Sequence, residues 1–304
     1  MEKIGILIPV FNKLEYTKKC LRNLTGIFTA DKALSDSFVV IVIDDASTDG
    51  TYQWINAHHR TDVHILRGDG NLWWSGGINR GARYALDELK CSHVLLWNND
   101  IEVGADYFRT LLGHAKHYGE HVIIGSKIYG NLEKNLVWSM GGIFNSRTGK
   151  SVMIGYLTED NQELQSPREA DWLTGMGTLV PSNLIRTIGY WDEKTYPQYM
   201  GDMEFTYRAK LKGFRNIVVP DLTIWNDTRN TGLLHQGSLK NLLRMLKDKR
   251  SLYNLRINIR FYRQYATSPL AWLFLSVSYF RLFGGFFKWK VLSLLGVKRK
   301  LTFD

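Results

Sequence analysis

Residues 38–51 read Phe-Val-Val-Ile-Val-Ile-Asp-Asp-Ala-Ser-Thr-Asp-Gly-Thr. The apolar run does not alternate and stops at a pair of carboxylates. A continuous run of this length reads as a strand buried on both faces, as in a parallel sheet. Residues 4–10, IGILIPV, and 93–97, HVLLW, repeat the pattern, and another strand is expected near 63–66. Between them Tyr16, Cys20, Leu21 and Leu24, then Ile78, Ala82, Ala85 and Leu86, recur at helical spacing. Strands alternating with helices predict an α/β fold, with a mostly parallel central sheet and helices on both faces.

In such sheets ligands bind at the C-terminal strand edge. The unusual residues fall there. Strand one ends in Val10-Phe11-Asn12, strand two in Asp44-Asp45 and the polar loop to Thr51. The third strand leads into Gly68–Asn79, the fourth into Asn98-Asn99-Asp100. Jointly the four loops outline one crevice. One carboxylate with neighbouring amides at residues 98–100 suits a hard divalent cation and, through it, a diphosphate.

The second half reads as mixed structure. A hairpin is expected over 136–156, a strand at Thr178–Val180 and a helix at Ser182–Ile188. Ile217–Val219 reads as a strand stopped by Pro220. A helix is expected from Asp202 to Lys212, ended by Gly213. Asp202 and Glu204 then point about 200° apart and cannot share one task. Arg208 is spaced to pair with Glu204 at i, i+4, leaving Asp202 for the crevice.

Composition divides the chain. The 304 residues are 44% hydrophobic, enough for one sizeable α/β core and an appendage. Cys20 and Cys91 are too few for a disulfide framework and point to a reducing compartment. The opening MEKIGILIPV reads as a strand, not a signal peptide. The formal net charge of +10 is local: residues 240–304 hold 14 Lys/Arg against 2 Asp/Glu. From Leu239 onward, leucines interleaved with Lys and Arg predict amphipathic helices, continuing through Leu252, Leu255, Ile259 and Tyr262. Residues 269–287 are apolar except for Arg281, and Gly284-Gly285 interrupts them. This run is borderline for a membrane span. Aromatic residues beside clustered Lys/Arg fit a helix lying in a membrane interface better. The expected division is 1–235 as the α/β domain and 236–304 as a basic, membrane-associating tail.

The ordered motifs resemble family 2 glycosyltransferases of the GT-A fold. The matching stretches are Ile8–Asn12, Val42–Thr51, the Gly-Gly-x-Asn ending at Asn79, and Asn98-Asn99-Asp100 as a form of the DxD motif. Asp171–Gly175, Ile188–Glu193 and Gly201-Asp202 with Arg208 and Gly213 follow in order. The resemblance covers residues 1–235, and the Gly68–Gly77 loop leans towards rhamnosyltransferases. It implies inverting transfer of one hexosyl or deoxyhexosyl group from a UDP- or dTDP-sugar, with Mg²⁺ or Mn²⁺. Pro9 and Asp45 would border the nucleoside, with Asp45 reading the base and Asp44 the neighbouring candidate. Phe11 and Asn99 join the donor side. Gly76, Gly77 and Asn79 match the segment closing over nucleotide and sugar. Asp100 would hold the cation, with His235 a second candidate ligand. Asp202 matches the general base, and Trp172, Thr174 and Gly175 the loop beneath the acceptor.

The departures are Asn98 in place of the usual acid, Gly201 in place of a common Glu, and Trp225-Asn226 where many relatives carry a metal-binding His. The expected acceptor is a lipid-linked saccharide of a cell-surface polymer. The expected location is the cytoplasmic face of an inner membrane, peripheral or monotopic, against anionic lipid. No nucleic-acid motif accompanies the basic tail. A Rossmann dehydrogenase is excluded by the missing Gly-x-Gly-x-x-Gly turn after strand one. A processive polysaccharide synthase lacks support without a Gln-x-x-Arg-Trp segment. A non-catalytic GT-A scaffold in a membrane assembly is the other alternative, opposed by the presence of Asp45, Asp100 and Asp202 together.

Overall fold

The computed structural model describes residues 3–130, 136–227 and 238–295. The chain divides into two units: Met1–Ile143 with Val152–Thr231, and Phe144–Ser151 with Gly232–Asp304. The tip of the expected hairpin thus belongs with the C-terminal helices.

In the first unit the chain order begins β1 (Ile4–Val10), α1 (Leu14–Ala30), α2 (Lys32–Ser37), β2 (Phe38–Asp44), α3 (Thr51–His58) and β3 (Val63–Arg67). It continues through α4 (Trp73–Arg83), β4 (His93–Leu96), β5 (Ile101–Val103), α5 (Tyr107–Tyr118), β6 (Val122–Gly130) and β7 (Leu136–Ser139). A hairpin of β8 (Gly142–Asn145) and β9 (Lys150–Met153) follows, its tip in the second unit, then β10 (Thr158–Glu159), β11 (Arg168–Ala170) and β12 (Thr178–Pro181). Helices α6 (Ser182–Ile188) and α7 (Gly201–Leu211) lead to β13 (Arg215–Asn226).

One mixed sheet runs β10-β7-β6-β12-β4-β1-β2-β3, with β13 also paired to β6, β5 and β11. Strands β4, β1, β2 and β3 are parallel to their neighbours along that stretch. Alternate residues enter opposite layers. Ile6, Ile8, Val40 and Val42 pack with Leu21 and Leu24 of α1. Leu7, Ile41 and Ile43 pack with Ile78 and Ala82 of α4. This two-sided burial is why the strands read as unbroken apolar runs.

Register brings the strand ends level. Val10 pairs with Asp44, and Asp44 with Arg67. The Trp97 N–H donates to Leu7 O at 3.0 Å, carrying residues 98–100 to the same edge.

The strand expected to stop at Pro220 instead extends to Asn226. Its register against β6 shifts between Val219 and Thr223. Proline lacks a ladder donor, and the irregularity accommodates it without ending the strand.

The second unit contains α8 (Leu239–Met245), α9 (Leu255–Tyr265) and α10 (Pro269–Leu294). The helix expected to run on from Leu239 breaks before Leu255, where Asn254 caps α9 by accepting from the Ile257 N–H at 3.1 Å. Neither Arg281 nor Gly284-Gly285 interrupts α10, which is continuous for 26 residues. It is long and apolar enough to cross a membrane.

Candidate active site

The carboxylates at the end of β2 are tied down by backbone. Asp44 is fully buried, accepts from the Ser47 N–H at 3.0 Å and pairs with the Arg67 guanidinium. Asp45 accepts from the N–H of Gly70 at 2.8 Å and of Trp73 at 3.1 Å. It therefore folds the loop from Gly68 to Trp73 over the sheet edge. A Cβ at Gly68 would meet Asp45 Oδ1 at 2.4 Å and its Cα at 2.9 Å, so only glycine fits there. The β1 end is fixed to the next loop: Asn12 N–H donates to Ser47 Oγ at 2.8 Å, and Thr48 N–H returns to Asn12 Oδ1 at 2.9 Å. Phe11 is 59% exposed beside this junction, and Pro9 is half-buried.

Helix α4 closes one side of the crevice. A Cβ on Gly77 would approach Pro9 Cβ to 3.0 Å, so Gly77 serves the close approach of α4 to β1. Gly76 is buried, facing Leu72 and Glu193. Asn79, in the segment expected to close over nucleotide and sugar, makes its hydrogen bonds within the protein. It is buried, its amide donates to Trp191 O at 2.8 Å and Glu193 Oε2 at 2.6 Å, and its oxygen accepts from Trp191 N–H at 3.0 Å. Both amide donors are thus committed to the loop before α7. Ser75 donates to Tyr196 O at 2.5 Å, and its N–H to Pro197 O at 2.9 Å, fixing the same loop.

Asp202 lies in the first turn of α7. Its Oδ2 accepts from the Gly175 N–H and its Oδ1 from the Met203 N–H, both at 2.8 Å. Burial raises the carboxyl above the usual carboxylate range, against the partial opposition of these two hydrogen bonds. Glu204 is buried and accepts from Arg208 Nε at 2.9 Å, while Arg208 also donates to Ile188 O and Tyr190 O. The two acids therefore divide as their helical spacing predicts. Gly201 has a steric cause: a Cβ there would sit 2.2 Å from Ser75 Oγ and 3.0 Å from Tyr196 O.

The loop over 171–175 is bolted to α7. Leu173 N–H donates to Thr206 Oγ1 at 2.9 Å, and Asn216 donates to Asp171 O at 2.9 Å. Trp172 is buried against Gly142, whose Cβ would meet the indole at 2.2 Å. Thr174 is also buried, its carbonyl accepting from Thr178. Of the three acceptor-side candidates, Gly175 hydrogen-bonds Asp202 through its N–H. Trp74 covers it: a Cβ on Gly175 would lie 2.2 Å from the indole. The same indole N–H donates to Asn98 Oδ1 at 3.3 Å. One tryptophan thus spans from the DxD-like loop to the residue holding Asp202.

Asn99 donates to Thr17 Oγ1 at 3.0 Å. Asp100 keeps a buried Oδ1 with no hydrogen-bond partner among the described residues. Burial, and then the charge of Asp227, hold its carboxyl above the usual range, against its own N–H and Lys13. Pairing of Asn226 with Ile101 brings Asp227 alongside, and its N–H donates to Asp100 O at 3.2 Å. Asp227 is 5% exposed and accepts from Tyr16 OH at 3.0 Å. Both acids line a cavity of about 340 Å³. Two carboxylates lining one cavity, one of them with an orphaned buried oxygen, suit a divalent cation. Among the described residues no group of three metal-binding side chains forms. His235 lies outside the described residues.

The model of the glycosyl transferase family 2 domain matches residues 5–168, more than half the chain. The chain belongs to glycosyl transferase family 2. Among relatives of this family 2 chain is the low-salt glycan biosynthesis hexosyltransferase Agl10 of Haloferax volcanii. It is 29% identical over 69% of this chain and 62% of the relative. Glycosyltransferase GlyA of Streptococcus pneumoniae serotype 4 is 21% identical over 64% of this chain and 28% of its own length. The family 2 chain thus spans less than two-thirds of either relative. The structure of GalNAc-T7 with UDP, GalNAc and Mn²⁺ aligns with a TM-score of 0.59 at 13% identity, covering 92% of this chain and 57% of that one. The mannosyltransferase PcManGT from Pyrobaculum calidifontis, with GDP-Man and Mn²⁺, aligns at 0.54 and 12% identity, covering 95% and 83%. These likenesses establish the GT-A fold.

Two residues of the family 2 site escape a reading of the sequence. Asp227 follows a strand that Pro220 seemed to end. Trp74 stands in a pair whose partner, Trp73, takes φ 58 and donates its N–H to Asp45. Nothing in the sequence separates the two roles.

Proposed function

We propose that this chain is an inverting glycosyltransferase. It moves one sugar from a UDP- or dTDP-sugar to a hydroxyl of a lipid-linked saccharide in surface-polysaccharide synthesis. The observation that carries the reading is Asp202: a part-buried carboxylate, aimed by the Gly175 N–H, with its basicity raised by desolvation. A base so tuned accepts a proton from an acceptor hydroxyl more readily than an ordinary surface aspartate. The acceptor oxygen attacks the anomeric carbon from the face opposite the diphosphate. The bond from that carbon to the diphosphate oxygen breaks, the nucleoside diphosphate leaves with the electron pair, and the proton rests on Asp202. Configuration inverts in the single displacement.

Asp100 and Asp227 are the groups that would hold a divalent cation, which when bound offsets charge on the diphosphate. Asp45, through Gly70 and Trp73, orders the loop beside the nucleoside, and the exposed Phe11 ring lies at the same edge. The loop over 172–175 supports the acceptor. The name of the Haloferax relative supports a hexosyl donor in glycan synthesis. The basic, apolar C-terminal segment supports a place on the cytoplasmic face of an inner membrane, where a lipid-linked acceptor is available.

The test is a nucleotide-sugar panel with Mn²⁺, read by mass spectrometry, with the product's anomeric configuration determined by NMR. Transfer with inversion is expected. Retention of configuration, or no transfer or hydrolysis with any donor, defeats the reading.

A further inference from the structure

Helix α10 carries two faces of different kinds. One is docked within its own unit. Ala271, Leu275 and Phe286 are buried, and a Cβ on Gly149 of the hairpin tip would meet Ala271 at 3.1 Å. Tyr279 OH accepts from Asn258 at 2.9 Å and donates to Tyr253 O at 3.0 Å, and the rings of Tyr262 and Trp272 lie 6.0 Å apart. Contacts 258–279 and 262–272 set α9 and α10 antiparallel, side by side.

The other face is bare. Leu270, Leu273, Phe280, Phe287, Val291 and Leu294 are each at least half exposed. With Val277 and Gly284 between them, their spacing alternates three and four residues, so they form one continuous stripe. At 100° per residue, Arg281 and Lys288 flank this stripe on one side and Lys290 on the other, each roughly 70–90° from its centre. No acidic residue occurs in α10. An apolar stripe edged on both sides by cations is the profile of a helix whose apolar face enters the acyl boundary while Lys and Arg reach the headgroups. Pairing with a second copy is less suited, because α10 offers these cations no acid.

The neighbour α9 decides between lying and crossing. Arg256, Arg260 and Arg263 recur at i, i+4 and i+7 along α9, are exposed, and make no ion pair among the described residues. Crossing the bilayer would either carry these arginines into hydrocarbon or strip α9 from the docked face of α10. Both are costly. We infer that α10 binds an anionic lipid surface lying in its plane, through the Leu270–Leu294 stripe, and does not span it. This rests on the membrane part of the proposed function.

Single cysteines at Leu273→Cys, Phe280→Cys and Phe287→Cys would carry an environment-sensitive fluorophore, with Arg263→Cys as the control. Native Cys20 and Cys91 are buried, and burial pushes their thiols up to about 12 and about 11, so labelling favours the new sites. The full chain is mixed with phosphatidylcholine vesicles, with and without phosphatidylglycerol, and depth is read from quenching by spin-labelled lipids. The expected result is binding that needs phosphatidylglycerol, one shared shallow depth for the three stripe labels, and a water-exposed control. The labels at 273 and 287 are separated by about 21 Å of helix rise, so a spanning helix gives strongly graded depths. Graded depths overturn the inference while leaving membrane binding intact. Failure of the unlabelled chain to bind either vesicle overturns the membrane reading itself. A dimer by light scattering, with the Phe280→Cys label shielded in the absence of lipid, assigns the stripe to self-association and overturns both. The unlabelled Leu273→Asp/Phe280→Asp variant is expected to partition roughly tenfold less or weaker, with donor hydrolysis unchanged.

Discussion

The backbone N–H of Gly175 donates to Asp202 Oδ2 at 2.8 Å, and the same glycine abuts the Trp74 indole so closely that a Cβ there would lie 2.2 Å from the ring. The position of the candidate base is therefore set by a residue without a side chain, and that residue is held by an aromatic ring from the opposite wall. The indole N–H reaches on to Asn98. The candidate base, the candidate acceptor loop and the DxD-like loop share one chain of contacts.

Asp202→Asn should abolish transfer while leaving donor affinity near that of the parent. The expected loss in kcat is roughly 10²–10⁴-fold, the usual contribution of a positioned general base. Calorimetric titration of the donor analogue checks the binding half. Because burial holds this carboxyl above its usual range, the wild-type rate should fall as pH drops through that raised value.

Asp100→Asn should stabilise the metal-free protein at neutral pH. Asp100 is raised by burial and by Asp227, so the fold favours its protonated form. The penalty of the charge is absent below the ordinary carboxylate pKa and sets in as pH rises through the folded value. The gain should be of order 1 kcal/mol, typical of relieving one unsatisfied buried group, and should shrink towards acid pH. Thermal melts across pH report it. Added Mn²⁺ should reverse the order by stabilising the parent more than Asp100→Asn or Asp227→Asn.

Gly201→Ala should destabilise by about 1–3 kcal/mol, the range for overpacking a filled site. The new methyl would collide with Ser75 Oγ, whereas Ser75 Cβ lies at 3.6 Å from the same point. Adding Ser75→Ala should recover part of the loss. Chemical denaturation of the two single variants and the double variant measures that coupling; strict additivity would refute the contact.

Trp74→Phe keeps an aromatic ring near Gly175 but removes the donor to Asn98. A fall in kcat/KM of roughly ten- to a hundred-fold is expected, the scale of sub-ångström misplacement in an active site. The melting temperature should change little. A large loss of stability with parental activity in the folded fraction would make Trp74 a packing residue only.

The sheet was legible because burial on both faces leaves unbroken apolar runs, as in 4–10 and 38–43, and because register makes their polar ends coincide. The split between Asp202 and Glu204 followed from helical angle and from the i, i+4 spacing of Arg208 to Glu204. Other features depend on contacts distant in sequence. Asn79 is spent on Trp191, 112 residues away, and nothing local announces it. Asp227 meets Asp100 only because β13 continues past Pro220 through a register shift, where the proline signal argued for an end. Gly201 looked like a departure from the family pattern, and Ser75 supplies its cause. Breaks at 246–254 and continuity through Gly284-Gly285 were decided by capping and tertiary packing, which outweigh local propensity.

The close approach of Trp74 to Gly175 also bears on how such enzymes can be re-engineered. The ring comes from the segment proposed to border the donor, the glycine from the loop proposed to support the acceptor. Grafting either loop alone from a relative with another sugar preference would place a foreign residue against a surface shaped for its absent mate. Chimaeras that exchange 68–79 and 171–175 together should therefore retain activity more often than those exchanging one.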